Sequence, residues 1–303
     1  MSPQLNNWIY GYFPHSWLQH LRGGGYRPIV FLNHGLWVGF FLLIAVLAAI
    51  GVARDGTRMQ RGMALLGAVW IFLVLSISHN LGAFLVALLT APAALLFPVR
   101  GQIRIAVLVG LIFLSYPMIK QVTLGPVEQF RQAVAAVAPD RAASLGVRLS
   151  NEEQLLNRAN LKPAFGWGGW GRQMIYNDYG RRLSVVDGLW IIQFGKTGWL
   201  GYLSYFGLLV VPLLFLRRAA RRKEIPIATG TLAMIAAANF IYMIPNATLT
   251  PVSMLIFGAL AGMAQFDTAD KGTPAASAAT EQRSREVRYT RFGADRSPQY
   301  RRS

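Results

Sequence analysis

Apolar residues fill long stretches of the chain, and polar residues collect in the short gaps between them. Seven such stretches run roughly over 31–52, 62–77, 80–97, 103–119, 197–216, 225–244 and 251–266. Most reach the ~17–25 residues that a tilted helix needs to cross ~30 Å of hydrocarbon. Pro92, Pro117 and Pro212 fall inside these stretches or near their ends. Membrane helices tolerate proline there because neighbouring groups satisfy the freed backbone. The pattern predicts an all-α membrane protein of about seven transmembrane helices. Four lie within 31–119 and three within 189–266, with one large loop, 120–188, between the groups.

The two ends of the chain break the pattern. Residues 1–30 carry Trp8, Tyr10, Tyr12, Phe13, Trp17 and Tyr26 among polar residues. Amphipathic rings of this kind suit an interfacial segment at headgroup level, and the Gly23–Gly25 run interrupts any helix before Pro28. Residues 267–303 are rich in Ser, Ala and Thr and then in Arg. Without apolar periodicity this tail is predicted to be disordered. It is drawn to an anionic leaflet or serves orientation alone.

Composition agrees with a membrane class. Of 303 residues, 53% are hydrophobic and 14% charged, against roughly 25% charged in soluble domains. The net charge of +17 needs a partner or an orientation rule to explain it. Nucleic acid would call for a folded basic face or an aromatic stacking platform; neither is visible, so no nucleic-acid partner is expected. The position of the charges explains them better. Arg54, Arg58 and Arg61 follow the first stretch, Arg100 and Arg104 follow the third, and 217–223 reads RRAARRK. The alternate turns, 78–80 and 245–250, hold no Lys or Arg. By the positive-inside rule the basic turns are cytoplasmic. The N-terminus and the 120–188 loop are then extracytoplasmic, and the C-terminal tail is cytoplasmic.

Candidate chemistry concentrates between Arg148 and Gly201. This segment sets Arg148, Arg158, Lys162, Arg172, Arg181 and Arg182 beside Glu152, Glu153, Asp178 and Asp187. In its middle, Gly166-Trp-Gly-Gly-Trp-Gly171 satisfies G-x-G-x-x-G as a string. No strand precedes it and no crossover unit surrounds it, so it is not read as a dinucleotide site. Its glycines permit a tight turn with positive φ. Trp167 and Trp170 are membrane anchors or sugar-stacking platforms. His15, His20, His34 and His79 are scattered and none pairs at ligand spacing; neither metal nor cofactor is expected. With no cysteine, no disulfide can staple the loop.

The same segment resembles the bacterial O-antigen ligase and O-antigen polymerase-like family. An arginine (Arg148), a helical stretch (Leu155–Lys162) and Pro163-Ala-Phe-Gly-Trp-Gly168 match the family's arginine, helix and P-x-F-G-W-G-like turn. Asp187 then stands where members carry His or Asp. Gly195-Lys-Thr-Gly198 with Gly201 matches their G-x-x-G lead into the next span. The resemblance covers about 1–266 and implies the C-terminal part of a C-type glycosyltransferase-like fold in the bacterial inner membrane. It further implies metal-independent transfer of a glycan from undecaprenyl diphosphate to a saccharide or lipid-linked acceptor. Arginine's bidentate fork stabilises a departing diphosphate, and a carboxylate takes the acceptor's proton. The catalytic candidates are Asp187 as base, with Arg148 and Arg172 as diphosphate clamp. Arg27, Arg158, Trp167, Trp170 and His79 are the substrate-binding candidates, with membrane lipids as further partners.

The match has departures. Ligases of the family carry His where this chain has Asp187, which leans towards the polymerase-like branch. Many members carry Arg where this chain has His79, whose charge depends on pH. Members also have several spans upstream of the matching segment, so a longer protein, of which this is the C-terminal portion, is one expectation. The alternatives are a transporter or flippase of lipid-linked glycans, or a non-catalytic fragment. For Asp187 itself, the bland reading is a helix N-cap.

Overall fold

The computed structural model describes residues 3–13, 21–22, 25–32, 34–122, 139–184 and 186–269. Trp17, His15, His20, residues 123–138 near the start of the predicted loop, and the basic tail from 270 onwards lie outside them. Among the described residues there are nine helices. A short α1 (Pro3–Tyr10) leads, by way of a two-residue antiparallel ladder (β1 Leu21–Arg22, β2 Gly25–Tyr26), into the apolar bundle. The bundle comprises α2 (Gly35–Asp55), α3 (Arg58–Ile77), α4 (Leu81–Leu96), α5 (Val99–Val122), α7 (Leu189–Ala219), α8 (Ile227–Met243) and α9 (Pro251–Ala269). Polar α6 (Pro139–Asn160) packs against α7.

Four helices, at 35–55, 58–77, 99–121 and 189–219, are long and apolar enough to cross a membrane. Three apolar helices, at 81–96, 227–243 and 251–264, are shorter. At 1.5 Å per residue the 17-residue α8 spans about 26 Å. It is also the hub of the bundle, in contact with α2, α4, α5, α7 and α9. Its sequence explains that place. Thr229, Gly230, Ala233 and Ala236–Ala238 let neighbours approach closely, and all are buried. Small residues are how helices pack when the surrounding solvent is itself apolar.

The outer helices show the complement. On α3 only Ala68 and Leu75 are buried, while Met63, Leu66, Trp70 and Ile77 are 65–74% exposed. An apolar face of this extent is one that water would penalise and hydrocarbon would not.

Hydrogen bonds fix which helix ends lie together. Asn80 Nδ2 donates to Gly35 O (3.1 Å), and Tyr242 Oη donates to Leu36 O (3.1 Å). The starts of α2 and α4 therefore meet the end of α8. At the opposite end Arg54 Nη1 donates to Ala94 O and Phe97 O, with Gln102 Nε2 on the same two carbonyls. Those carbonyls are the unsatisfied C-terminal groups of α4, and a guanidinium suits the negative end of its dipole. The bundle thus has one end carrying the arginine-rich connections and another carrying the predicted site.

Candidate functional site

Asp187 and Arg148 come together. Arg148 Nε stands 3.4 Å from Asp187 Oδ2, with side chains 45% and 35% exposed. The N-cap of α7 is Gly188, which makes no side-chain cap. The capping reading of Asp187 is thereby corrected: its carboxylate faces α6 instead of the first turn of α7. Gly188 is confined by packing, since a Cβ there would lie 2.3 Å from Ile244 O.

One helical turn beyond Arg148 on α6, Glu152 turns into the protein. It pairs with Lys120 at the end of α5 (3.4 Å), and both side chains are nearly buried, 12% and 5% exposed. Burial raises the Glu152 pKa above its ordinary range; Lys120 opposes this and the nearby Asp187 charge adds to it. The indole of Trp190 lies close enough to favour the carboxylate, although its Nε1 is buried outside hydrogen-bond geometry. Four ionisable groups, Lys120, Glu152, Asp187 and Arg148, thus run from the bundle to its surface. From sequence Glu152 is one of several loop carboxylates and a reserve candidate for the base, and Lys120 carries no role. The signal for both is weak in sequence, because a lysine at a span's end normally reads as a snorkelling anchor.

Arg158, Lys162 and the backbone of Arg172 form a second station around Trp167. Arg148 and Arg158 are ten residues apart on α6, about 15 Å along its axis. Arg158 Nη2 donates to Arg172 O (2.9 Å), and its guanidinium lies 4.2 Å from the Trp167 ring centroid. Lys162 Nζ is 4.4 Å from the same ring, and Trp167 Nε1 donates to Arg158 O. Trp167 is therefore a cation-holding platform inside the loop, whereas Trp170 is 64% exposed.

The glycine turn has a structural partner that the sequence did not reveal. Inside α7, Gly198 adopts φ 60°, ψ −163°, which breaks the helix. Into that break fits the Pro163–Gly168 turn. Trp167 N and Gly168 N donate to Gly195 O and Lys196 O (2.9 and 2.8 Å), while Trp199 N and Leu200 N donate to Pro163 O and Ala164 O (2.7 and 3.2 Å). The backbone groups freed by the break are satisfied by the loop. Gly166 and Gly198 are both at positive φ, and a Cβ on either would meet backbone at 2.5 Å.

Arg27 and His79 sit elsewhere on the same end. Arg27 is buried against Gly35, and the His79 ring lies against Gly25. His79 has φ 52° just past the end of α3, the left-handed position that ends many helices. His34 caps α2: its Nδ1 accepts from Leu36 N at 3.0 Å. Among the described residues no cluster of three His, Cys, Asp or Glu could hold a metal ion.

No family model, curated protein or solved structure matches this chain.

Proposed function

We propose that the protein transfers a glycan from undecaprenyl diphosphate to a saccharide acceptor at the extracytoplasmic face of the bacterial inner membrane. The reading rests on the resemblance of Arg148–Gly201 to the O-antigen ligase and polymerase-like family. The observation that supports it most is the half-exposed Arg148–Asp187 pair, set where α6 meets the start of α7. Asp187 accepts the acceptor hydroxyl's proton as the oxygen attacks the anomeric carbon, and the bond from that carbon to the diphosphate breaks. Arg148 and Arg172 neutralise the departing charge, with Arg27, Arg158, Trp167, Trp170 and His79 as binding groups for donor and acceptor. Arg148, beside Asp187, is the clamp group nearest the reacting carbon, and Arg172, whose carbonyl holds Arg158, is the second.

The test is Asp187→Asn and Arg148→Lys in a reconstituted assay with lipid-linked donor. An exposed pair contributes about 0–1 kcal/mol, and Asp187 is not a cap, so both variants are expected to fold and insert. Loss of the base is expected to cost roughly 10²–10⁴-fold in transfer. Near-normal transfer by Asp187→Asn removes it as the base and leaves Glu152 as the next candidate.

A transporter of lipid-linked glycans is the second reading, and the break at Gly198 is what favours it, since discontinuous helices build transport sites. Here the broken backbone is occupied by the protein's own turn, which leaves less room for a substrate. Flipping of a fluorescent lipid diphosphate in liposomes, unaffected by Asp187→Asn, would establish that alternative.

A further inference from the structure

At the end of the bundle opposite the candidate site, Arg100 and Arg104 of α5 and Arg217 and Arg221 at the end of α7 line a cavity of about 180 Å³, with Ala220 among the lining residues. That is several times the ~30 Å³ share of one water. Among the described residues none of the four arginines is in an ion pair. Nε of Arg217 is buried without a hydrogen-bond partner. A buried donor of this kind is costly unless an acceptor reaches it. Arg100 and Arg104 also stand in the first turns of α5, which hold no acidic residue. The positive end of the helix dipole therefore adds to four like charges. Four like charges and one buried, unpartnered donor around a single cavity favour an anion there.

We propose that it binds the phosphate of an anionic membrane lipid. Guanidinium groups match phosphate oxygens bidentately. The lipid source follows from what adjoins the arginines. Along one face of α5, Arg100 and Arg104 are exposed and the next positions on that face are Leu108 and Leu111, 59% and 40% exposed. Charge at the rim followed by apolar surface below is the order of a headgroup and its acyl chain. Basic pockets between membrane helices hold anionic headgroups by this arrangement.

Native mass spectrometry of the full chain in detergent, titrated with cardiolipin, phosphatidylcholine or inorganic diphosphate, tests the assignment. Wild-type protein is expected to retain cardiolipin adducts in preference to phosphatidylcholine. Arg104→Gln/Arg217→Gln should weaken that retention on the order of tenfold or more. Arg218→Gln/Arg222→Gln removes the same charge nearby but outside the cavity, and should retain the lipid. Equal loss in both double variants means general surface attraction and overturns the site. Displacement of cardiolipin by inorganic diphosphate at equal concentration overturns the lipid as occupant. Should Arg104→Gln/Arg217→Gln fold poorly, Arg100→Gln/Arg221→Gln provides the same comparison; unchanged retention there overturns the proposal.

Discussion

Glu152 is the residue whose environment departs furthest from what its sequence position implied. In a run of charged loop residues it reads as solvated, yet the i, i+4 spacing from Arg148 turns it towards Lys120 and Trp190. Pairing across more than thirty residues is invisible to local pattern. Arg148 and Asp187, by contrast, are singled out by the family resemblance and are adjacent: Asp187 stands just before α7, and Arg148 lies midway along α6, whose extent the pattern did not show. The buried acid has a consequence for stability. The folded state holds the Glu152 proton more tightly than the unfolded state, where its pKa is the ordinary 4.5. The stability this group contributes is therefore fully present below about pH 4.5 and is lost as pH rises through the raised value. Glu152→Gln is expected to flatten that part of the stability profile, measured as thermal midpoint against pH in detergent. An unchanged slope assigns the dependence to other groups. Removing the partner instead, as Lys120→Met, leaves a buried charge uncompensated and is expected to cost about 3–5 kcal/mol.

At the scale of elements, the apolar stretches gave the bundle helices to within a few residues, and the exceptions have physical causes. The stretch at 197–216 appears as the second part of a 31-residue helix, α7, that begins at Leu189. A continuous helix of that length would extend about 46 Å, well beyond the ~30 Å of hydrocarbon. The break at Gly198 divides it, leaving Trp199–Ala219 at about 31 Å. The family resemblance marks Gly195-Lys-Thr-Gly198 as a G-x-x-G lead into a span; that it receives the Pro163–Gly168 turn was not legible, because docking of one backbone on another leaves no periodicity. The expectation is that Gly166→Ala and Gly198→Ala each destabilise by roughly 3 kcal/mol or more, from strain at positive φ together with backbone overlap. Gly169, at ordinary φ with open space around its Cβ position, is the control, and Gly169→Ala should cost under about 1 kcal/mol. Thermal unfolding of the three variants in one detergent decides between this lock and a merely flexible loop.

Over the whole molecule, the end-to-end separation of charge was readable from sequence as an alternation of basic and uncharged turns, and the helix ends sort accordingly. The arginine-rich connections join helix ends that hydrogen bonds bring together, and the uncharged turns at 78–80 and 245–250 share the opposite end with α6 and Asp187. Single-cysteine labelling tests which end faces the cytoplasm. The positive-inside rule assigns the basic end to it, with the candidate site outside. The absence of native cysteine makes single-cysteine probing direct. Trp170→Cys lies in the 64%-exposed turn beside the site, and Arg222→Cys lies just beyond α7 at the basic end. In cells with a permeabilised outer membrane, an impermeant thiol reagent is expected to label position 170 and not 222, with 222 labelled only after the inner membrane is opened. The reverse pattern would put Asp187 and Arg148 on the cytoplasmic side. Transfer from a carrier displayed on the outer leaflet would then be impossible for this site, while the arginine-lined cavity would face the outer leaflet. Labelling of both positions in intact cells would be the sign that these helices do not separate two compartments at all.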